Sequence, residues 1–170
     1  MTLITVSIIA ATAIYLAYNA ISLALFGIPK SLSDTYYLWK EHNGKGYLFC
    51  LMMYAVVTLM MPAWITMSEG SDFQFLAFLA PAAIAFVGTA PRFKDTELEN
   101  HVHMTSAYLA AAFALAWVAL VTPYWWVILI WLCSMACLAV LTSSCKTALV
   151  YWLETIAFGA TFTSAFLYSL

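Results

Sequence analysis

Glu154 is the only acidic residue in the apolar stretch ALVYWLETIAFGATF, residues 148–162. A carboxylate exposed to hydrocarbon costs about 2.5 kcal/mol or more, so inside a membrane we expect Glu154 to be either paired or protonated. Such a group can carry a proton, bind an ion or act as an acid or base in a pocket. Two alternatives stay open. Glu154 either forms a structural hydrogen bond with Asn19, Tyr15 or Lys146, or extends to the membrane interface and does little.

A second set of chemically active side chains lies in the segment APRFKDTELENHVHMTSAY, residues 90–108. Its acids and histidines alternate along the chain: Glu97, Glu99, His101 and His103. In an extended chain all four would face one way and could bind a metal ion. A capping box favours a helix instead, because Thr96 is followed three positions later by Glu99. That helix would start at Glu97 and pair each Glu with the His four positions later, on two different faces.

The chain contains three histidines: His42, His101 and His103. A catalytic zinc site uses three protein ligands and one open position. The histidines could supply these ligands, with Glu154 as a further candidate, and zinc is the one cofactor that the sequence brings into consideration. The alternative is a solvated, capped helix start without a cofactor, whose histidines lie at the lipid interface. Neither an HxxxH nor an HExxH motif is present, so the spacing does not require a metal.

The composition indicates that these residues belong to a membrane protein. Hydrophobic residues make up 65% of the 170 residues and charged residues 8%, against roughly 25% charged in soluble domains. Several apolar runs approach the roughly 20 helical residues that cross a hydrocarbon core of about 30 Å. We therefore predict an all-α, polytopic membrane helix bundle that forms a single domain over residues 1–170. A net charge of −2 gives no reason to expect a nucleic-acid partner.

Six transmembrane helices are predicted from the apolar runs and the breakers between them. The spans cover residues about 3–28, 47–68, 73–90, 97–121, 124–144 and 147–169. The junctions contain Pro29, the Gly-Lys-Gly stretch at 44–46, Pro91 and Pro123. The third span is the shortest and contains Pro81, and an alternative count would merge or drop it.

The distribution of positive charge predicts the orientation. All six basic residues lie in alternate connections: Lys30, Lys40, Lys45, Arg92, Lys94 and Lys146. Under the positive-inside rule these connections are cytoplasmic, so both termini lie on the non-cytoplasmic side. The first 29 residues contain neither Lys nor Arg, so we do not expect a cleaved signal peptide. The predicted location is a bacterial inner membrane, as a multi-pass protein.

Polar and small residues recur at helical spacing on three spans. These stripes are Glu154, Ala157, Thr161 and Ser164 on the sixth span, Thr12, Tyr15, Asn19 and Ser22 on the first, and His103, Ala107, Ala110 and Ala114 on the fourth. Small residues let helices approach closely in a membrane. At about 1.5 Å of rise per residue, Glu154 lies about 9 Å beyond the cytoplasmic boundary, near the depth of Asn19. We predict a ligand pocket in the cytoplasmic half, formed by Glu154, Asn19, His103, Tyr15 and Thr161.

The first cytoplasmic connection and the cysteines each allow two interpretations. Tyr36, Tyr37 and Trp39 favour a short segment on the membrane surface, whereas Ser31, Ser33 and Asp34, opposite the histidines of the fourth span, could form a hydrolytic site. Cys133 and Cys137 share a helix face. They are predicted to be small packing residues at a helix contact, with metal binding as the alternative.

Three stretches resemble a known layout: IPKSLSDTYY after the first span, VGTAPRF at the end of the third and HVHMTSAYLAAAF at the start of the fourth. They are similar to six-span membrane proteins of DRAM type and related bacterial domains of unknown function, which carry a Pro–Ser motif after the first span and a single His before a small-residue fourth helix. The resemblance covers most of the chain and implies the fold. The chain is more distantly similar to the seven-span ceramidase and adipoQ-receptor type of lipid hydrolase. It departs from that family because it has six predicted spans and no HxxxH motif.

Three functions follow as hypotheses. The first is a bundle that binds, or passes, a small or lipid-like ligand in a pocket open to the cytoplasmic leaflet, with Glu154 as its polar anchor and membrane lipid as its surroundings. The second is a metal-dependent intramembrane lipid hydrolase with His101, His103 and either His42 or Glu154 as ligands. The third is a structural or assembly subunit, including a homo-oligomer. The sequence does not decide whether the protein is an enzyme.

Overall fold

The computed structural model describes residues 2–144 and 146–170, and over this part of the chain it contains seven α-helices and no strands. The helices are α1 (Leu3–Phe26), α2 (Thr35–Asn43), α3 (Tyr47–Met67), α4 (Leu76–Thr89), α5 (Glu97–Val121), α6 (Trp126–Leu141) and α7 (Leu149–Tyr168). The predicted all-α fold is confirmed. Six of the helices coincide with the predicted apolar segments, and α2 is an additional helix in the first connection.

The helices differ in their ability to cross a membrane. Three of them, α1, α3 and α5, are long and apolar enough to do so. The apolar helices α4 and α6 have 14 and 16 residues, and a helix of 14 residues is only about 21 Å long. Helix α4 starts later than predicted because residues 69–75 form turns instead of helix. The structure thus supports a membrane protein, while the number of spans stays a prediction.

Helices α1 and α7 run in opposite directions, so the start of each lies beside the end of the other, at opposite ends of the bundle. At one end the Thr5 hydroxyl donates to the carbonyl of Ser169 over 3.4 Å. At the other end Tyr151 donates its backbone N–H to the carbonyl of Lys30 over 3.1 Å, and Lys94 forms an ion pair with Asp34. Residues 27–46, 90–96, 142–144 and 146–148 therefore lie at this second end, which we call the basic end because the six basic residues of the chain fall in these connections.

Helix α2 is anchored to the bundle by Trp39. The Trp39 side chain is buried, and its indole N–H donates to the Ser22 hydroxyl of α1 over 3.0 Å. Its ring also lies edge-on to Phe26 at 5.4 Å. Trp39 therefore packs on α1, where its indole finds a polar partner, and the placement of this short segment on the membrane surface stays a prediction.

Aromatic and small residues determine how the remaining helices pack. Trp64 of α3 and Trp117 of α5 are both buried, with ring centroids 6.5 Å apart. Helix α6 packs on α7, where the Trp131 ring lies directly on Gly159. Cys133 and Cys137 are exposed on α6, so the prediction that they pack at a helix contact is wrong within this chain.

Candidate functional site

A mostly apolar cavity lies between α3, α4, α5 and α7. Its volume is about 50 Å³, measured as the space open to the centre of a water molecule, whereas one water needs roughly 10–15 Å³ on this measure. One wall consists of small residues of α5: Ala107, Ala110, Ala111 and Ala114. These alanines leave room that larger side chains would fill, so the small-residue stripe of the fourth predicted span forms the cavity wall.

Polar groups enter this cavity mainly at one end. Glu154 of α7 and Ser33 of the first connection both line it, and they lie close together because the Glu154 carboxyl accepts a hydrogen bond from the backbone N–H of Leu32 over 2.6 Å. Thr161 lines the cavity two turns further along α7 and donates its hydroxyl to the carbonyl of Ala157. The lining therefore combines apolar walls with a carboxyl and a hydroxyl at the basic end.

Glu154 has a partner within the bundle, as one of the sequence interpretations required. That partner is the Leu32 backbone, whereas the alternatives named from the sequence were Asn19, Tyr15 and Lys146. Leu32 is 2% exposed, so its N–H depends on this bond for a hydrogen-bond partner. The partner differs from those named from the sequence because residues 27–34 fold back over the start of α7. No local sequence pattern predicts this fold.

His103 connects α5 to the polar end of the cavity. Its Nδ1 lies 2.9 Å from the carbonyl oxygen of Ala90, and its Nε2 lies 2.8 Å from the Ser33 hydroxyl. The Phe93 ring stacks on the imidazole at 4.4 Å and 17°. His103 is 2% exposed, so it lies behind Ser33 and does not line the cavity itself.

The start of α5 agrees with the predicted capping box in part. Thr96 accepts a hydrogen bond from the Glu99 N–H over 3.2 Å, and the helix begins at Glu97, as predicted. The predicted pair of Glu97 and His101 is confirmed, at 3.6 Å. The predicted pair of Glu99 and His103 is wrong. The Glu99 carboxylate contacts Arg92 at 3.5 Å, because His103 lies on the buried face of α5.

Asn19 and Tyr15 form a separate polar group on α1. The Asn19 amide donates to the Tyr15 carbonyl over 2.9 Å and accepts from the Tyr151 hydroxyl over 3.4 Å. The Tyr15 ring stacks on Phe158 at 4.7 Å. The five predicted ligand-binding residues are therefore not one cluster: Glu154 and Thr161 line the cavity, whereas His103, Asn19 and Tyr15 are outside its lining.

The three histidines considered for a metal site occupy different environments. His42 is exposed at the end of α2 beside Phe26, and His101 is exposed and pairs with Glu97, whereas His103 is buried. Among the described residues, no three His, Cys, Asp or Glu side chains are close enough together to hold a metal ion. The zinc site stays a prediction from composition, without a geometry that supports it.

Hydrogen bonds across the basic end hold its two connections together. The Tyr37 hydroxyl accepts from the Lys94 backbone N–H over 2.8 Å and donates to the Asp95 carboxylate over 3.3 Å. Partial burial raises the pKa of Tyr37, so its hydroxyl remains protonated and able to donate. This contact fixes the position of Ser33, in the connection of residues 27–46, relative to Ala90, at the start of the connection of residues 90–96.

Of the three residues named for a hydrolytic alternative, the structure places one against a histidine. Ser33 contacts His103, whereas the Ser31 hydroxyl accepts from the Asp34 backbone N–H and Asp34 pairs with Lys94. The contributions of the Leu32 N–H and the Ala90 carbonyl could not be anticipated, since backbone groups carry no sequence signal.

Comparisons with protein-family models, with curated proteins and with solved structures found no match for this chain. The resemblance to six-span proteins of DRAM type therefore stays a prediction, and functional inference relies on the geometry of the cavity.

Proposed function

We propose that the chain is a six-span integral membrane protein whose cavity binds a small or lipid-like ligand with an apolar body and a hydroxylated end. Its cytoplasmic side is the basic end, both termini are on the other side, and the membrane is a bacterial inner membrane. Three long apolar helices and the collection of the basic connections at one end of the bundle support this arrangement.

The observation that carries the binding proposal is the position of Glu154 and Ser33 at one end of an otherwise apolar cavity. Ligand sites typically combine apolar walls with a few placed polar groups that orient the ligand. The Glu154 carboxyl already accepts the Leu32 N–H and has further acceptor capacity, and the next residue, Ser33, lines the same cavity. A ligand that donates hydrogen bonds from hydroxyl groups matches these acceptors, and its hydrocarbon part matches the walls.

The walls also explain how a chain-like ligand would be accommodated. The lining runs from Phe49 to Trp64 along α3, which corresponds to about 22 Å of helix rise. Met53 lies between them in the lining, and methionine side chains adapt their shape to irregular space. An alkyl segment that enters the cavity would lie along these residues, aligned with α3.

Photocrosslinking with an alkylglycerol ether tests this proposal. The probe carries a diazirine in its alkyl chain, has free hydroxyl groups and contains no ester. In the purified protein we expect labelling of cavity peptides, strong reduction by Ala111→Phe, which fills the cavity, and no reduction by Ala112→Phe, which points away from it on the same helix. Equal labelling of the two variants, or labelling confined to outward-facing residues, would show that the cavity is not the binding site.

Two substitutions of Glu154 test whether its carboxyl is the polar anchor of the ligand. Glu154→Leu removes every hydrogen-bond acceptor from this side chain, and we expect it to reduce saturable labelling by the probe. Glu69 is an exposed acid in the connection between α3 and α4, so Glu69→Leu is the matched control and should label like the unmodified protein. If Glu154→Gln and Glu154→Leu both keep full labelling, the cavity binds without this anchor.

A further inference from the structure

We propose that Ser33 and His103 form a nucleophile and general base that hydrolyse a long-chain acyl ester with a hydroxylated headgroup inside the cavity. This activity depends on the proposed function, because the ester must enter the same cavity. It goes beyond ligand binding and differs from the metal-dependent hydrolysis considered from the sequence, because it needs no metal ion.

The hydrogen bonds around His103 determine the role of each ring nitrogen. The Ala90 carbonyl can only accept, so Nδ1 of the imidazole carries a proton and donates to it over 2.9 Å. In the neutral ring Nε2 is then an acceptor, and the Ser33 hydroxyl donates to it over 2.8 Å. A serine hydroxyl that donates to an imidazole oriented by a third group is the arrangement that activates a serine nucleophile.

The imidazole is held in this orientation from two directions. The Ala90 carbonyl selects the tautomer, and the Phe93 ring stacks on the imidazole face at 4.4 Å. The nearby Asp34 carboxylate does not take the place of the third group, since Lys94 binds it in an ion pair. Ala90 and Phe93 are therefore positioning residues for the base.

The cavity supplies access to the nucleophile. Ser33 is 2% exposed, yet it lines the cavity, while His103 lies behind it. A substrate can therefore reach the Ser33 hydroxyl from the apolar side, which favours an ester with a hydrocarbon chain. The Glu154 carboxyl, bound to the residue before Ser33, provides an acceptor for a hydroxyl of the headgroup.

The reaction balances with water as the only co-reactant. The Ser33 oxygen bonds to the ester carbonyl carbon while its proton passes to Nε2 of His103. The bond from that carbon to the alcohol oxygen then breaks, and the leaving alcohol takes the proton from Nε2. Water attacks the acyl-serine, gives a proton to Nε2 and forms the carboxylic acid, and the proton returns to the serine oxygen as the acyl bond breaks.

A long-chain alkyl fluorophosphonate tests whether Ser33 is activated. This reagent bonds covalently to an activated serine oxygen and releases fluoride, so peptide mass spectrometry shows which residue reacted. In the purified full-length protein we expect one adduct on Ser33, none in Ser33→Ala, and an unchanged adduct in the neighbouring Ser31→Ala. His103→Gln should slow adduct formation about a hundredfold, as loss of a general base does, whereas His101→Gln should not.

The outcomes separate this proposal from the binding proposal. If the unmodified protein photocrosslinks the alkylglycerol ether in its cavity but forms no adduct on Ser33, the hydrolytic proposal is wrong and ligand binding stands. An adduct on another serine, or one that persists unchanged in His103→Gln, also overturns it. Ser31→Ala should keep full photocrosslinking, because Ser31 does not line the cavity, and failure of crosslinking in the unmodified protein would count against the binding proposal itself. Release of fatty acid from a monoacylglycerol, lost in Ser33→Ala, is the expected functional readout.

Discussion

The Leu32 backbone N–H donates to the Glu154 carboxyl over 2.6 Å, joining two residues that are 122 positions apart in the chain. The bond ties the first connection to the last helix and brings Ser33 to the edge of the cavity that Glu154 lines. A single carboxyl thus contributes to both the fold and the candidate site.

Replacing Glu154 by Leu should destabilise the protein more than replacing it by Gln. Gln keeps an oxygen that accepts from Leu32, whereas Leu leaves a buried N–H unpaired, which costs about 1–3 kcal/mol. Thermal unfolding in detergent measures the difference, with Glu69→Leu as the exposed control. Equal transition temperatures for the Gln and Leu variants would mean that the bond to Leu32 contributes nothing to stability.

Adding a methyl group at Gly159 should weaken the contact of α6 with α7. A Cβ there would lie 2.6 Å from atoms of the Trp131 ring, and overpacking of this kind costs about 1–3 kcal/mol. We expect a lower transition temperature for Gly159→Ala. The control is Ala17→Val, which adds carbon atoms on an exposed face of α1.

A double-variant cycle tests whether the Trp131 ring causes the lower transition temperature of Gly159→Ala. In a Trp131→Ala background the added methyl group has room, so Gly159→Ala should cost much less there than alone. An unchanged penalty would assign the effect to something other than the Trp131 ring.

Tyr37 should make the stability of the basic end sensitive to alkaline pH. Burial raises the pKa of its hydroxyl above the ordinary value of 10.0, so the folded state favours the protonated form. Its contribution is fully present below about pH 10, the unfolded pKa, and is lost as pH rises through the folded pKa. Tyr37→Phe should show a smaller decline in transition temperature above that pH, and Tyr108→Phe, an exposed control on α5, should decline like the unmodified protein.

Membrane orientation can be measured with single cysteines in a background whose four cysteines are replaced by Ser. We expect Ser71→Cys, in the connection between α3 and α4, to react with an impermeant maleimide on intact spheroplasts. Lys94→Cys, at the basic end, should react only in inverted vesicles. The reverse pattern would place the cavity's polar end on the non-cytoplasmic side.

The stripes read from the sequence predicted burial better than they predicted contacts. Tyr15, Asn19 and Ser22 are buried on α1, as their spacing indicated. However, Asn19 binds Tyr151 and not Glu154, because helical spacing determines which face of a helix is buried but not which neighbour it meets. The same limit explains His103, whose partners Ala90 and Ser33 lie in connections without a periodic pattern.

Sequence alone determined that the described chain is helical and where its long helices begin and end, since apolar runs and the capping residue Thr96 are local features. It also singled out Glu154, because an acid within an apolar run needs a partner. Only the tertiary structure decided that this partner is the Leu32 N–H, that Ser33 donates to His103, and that the alanines of α5 enclose a cavity. The physical reason is that these relationships depend on how the connections fold over the helix ends, where backbone groups without side-chain identity supply the hydrogen bonds.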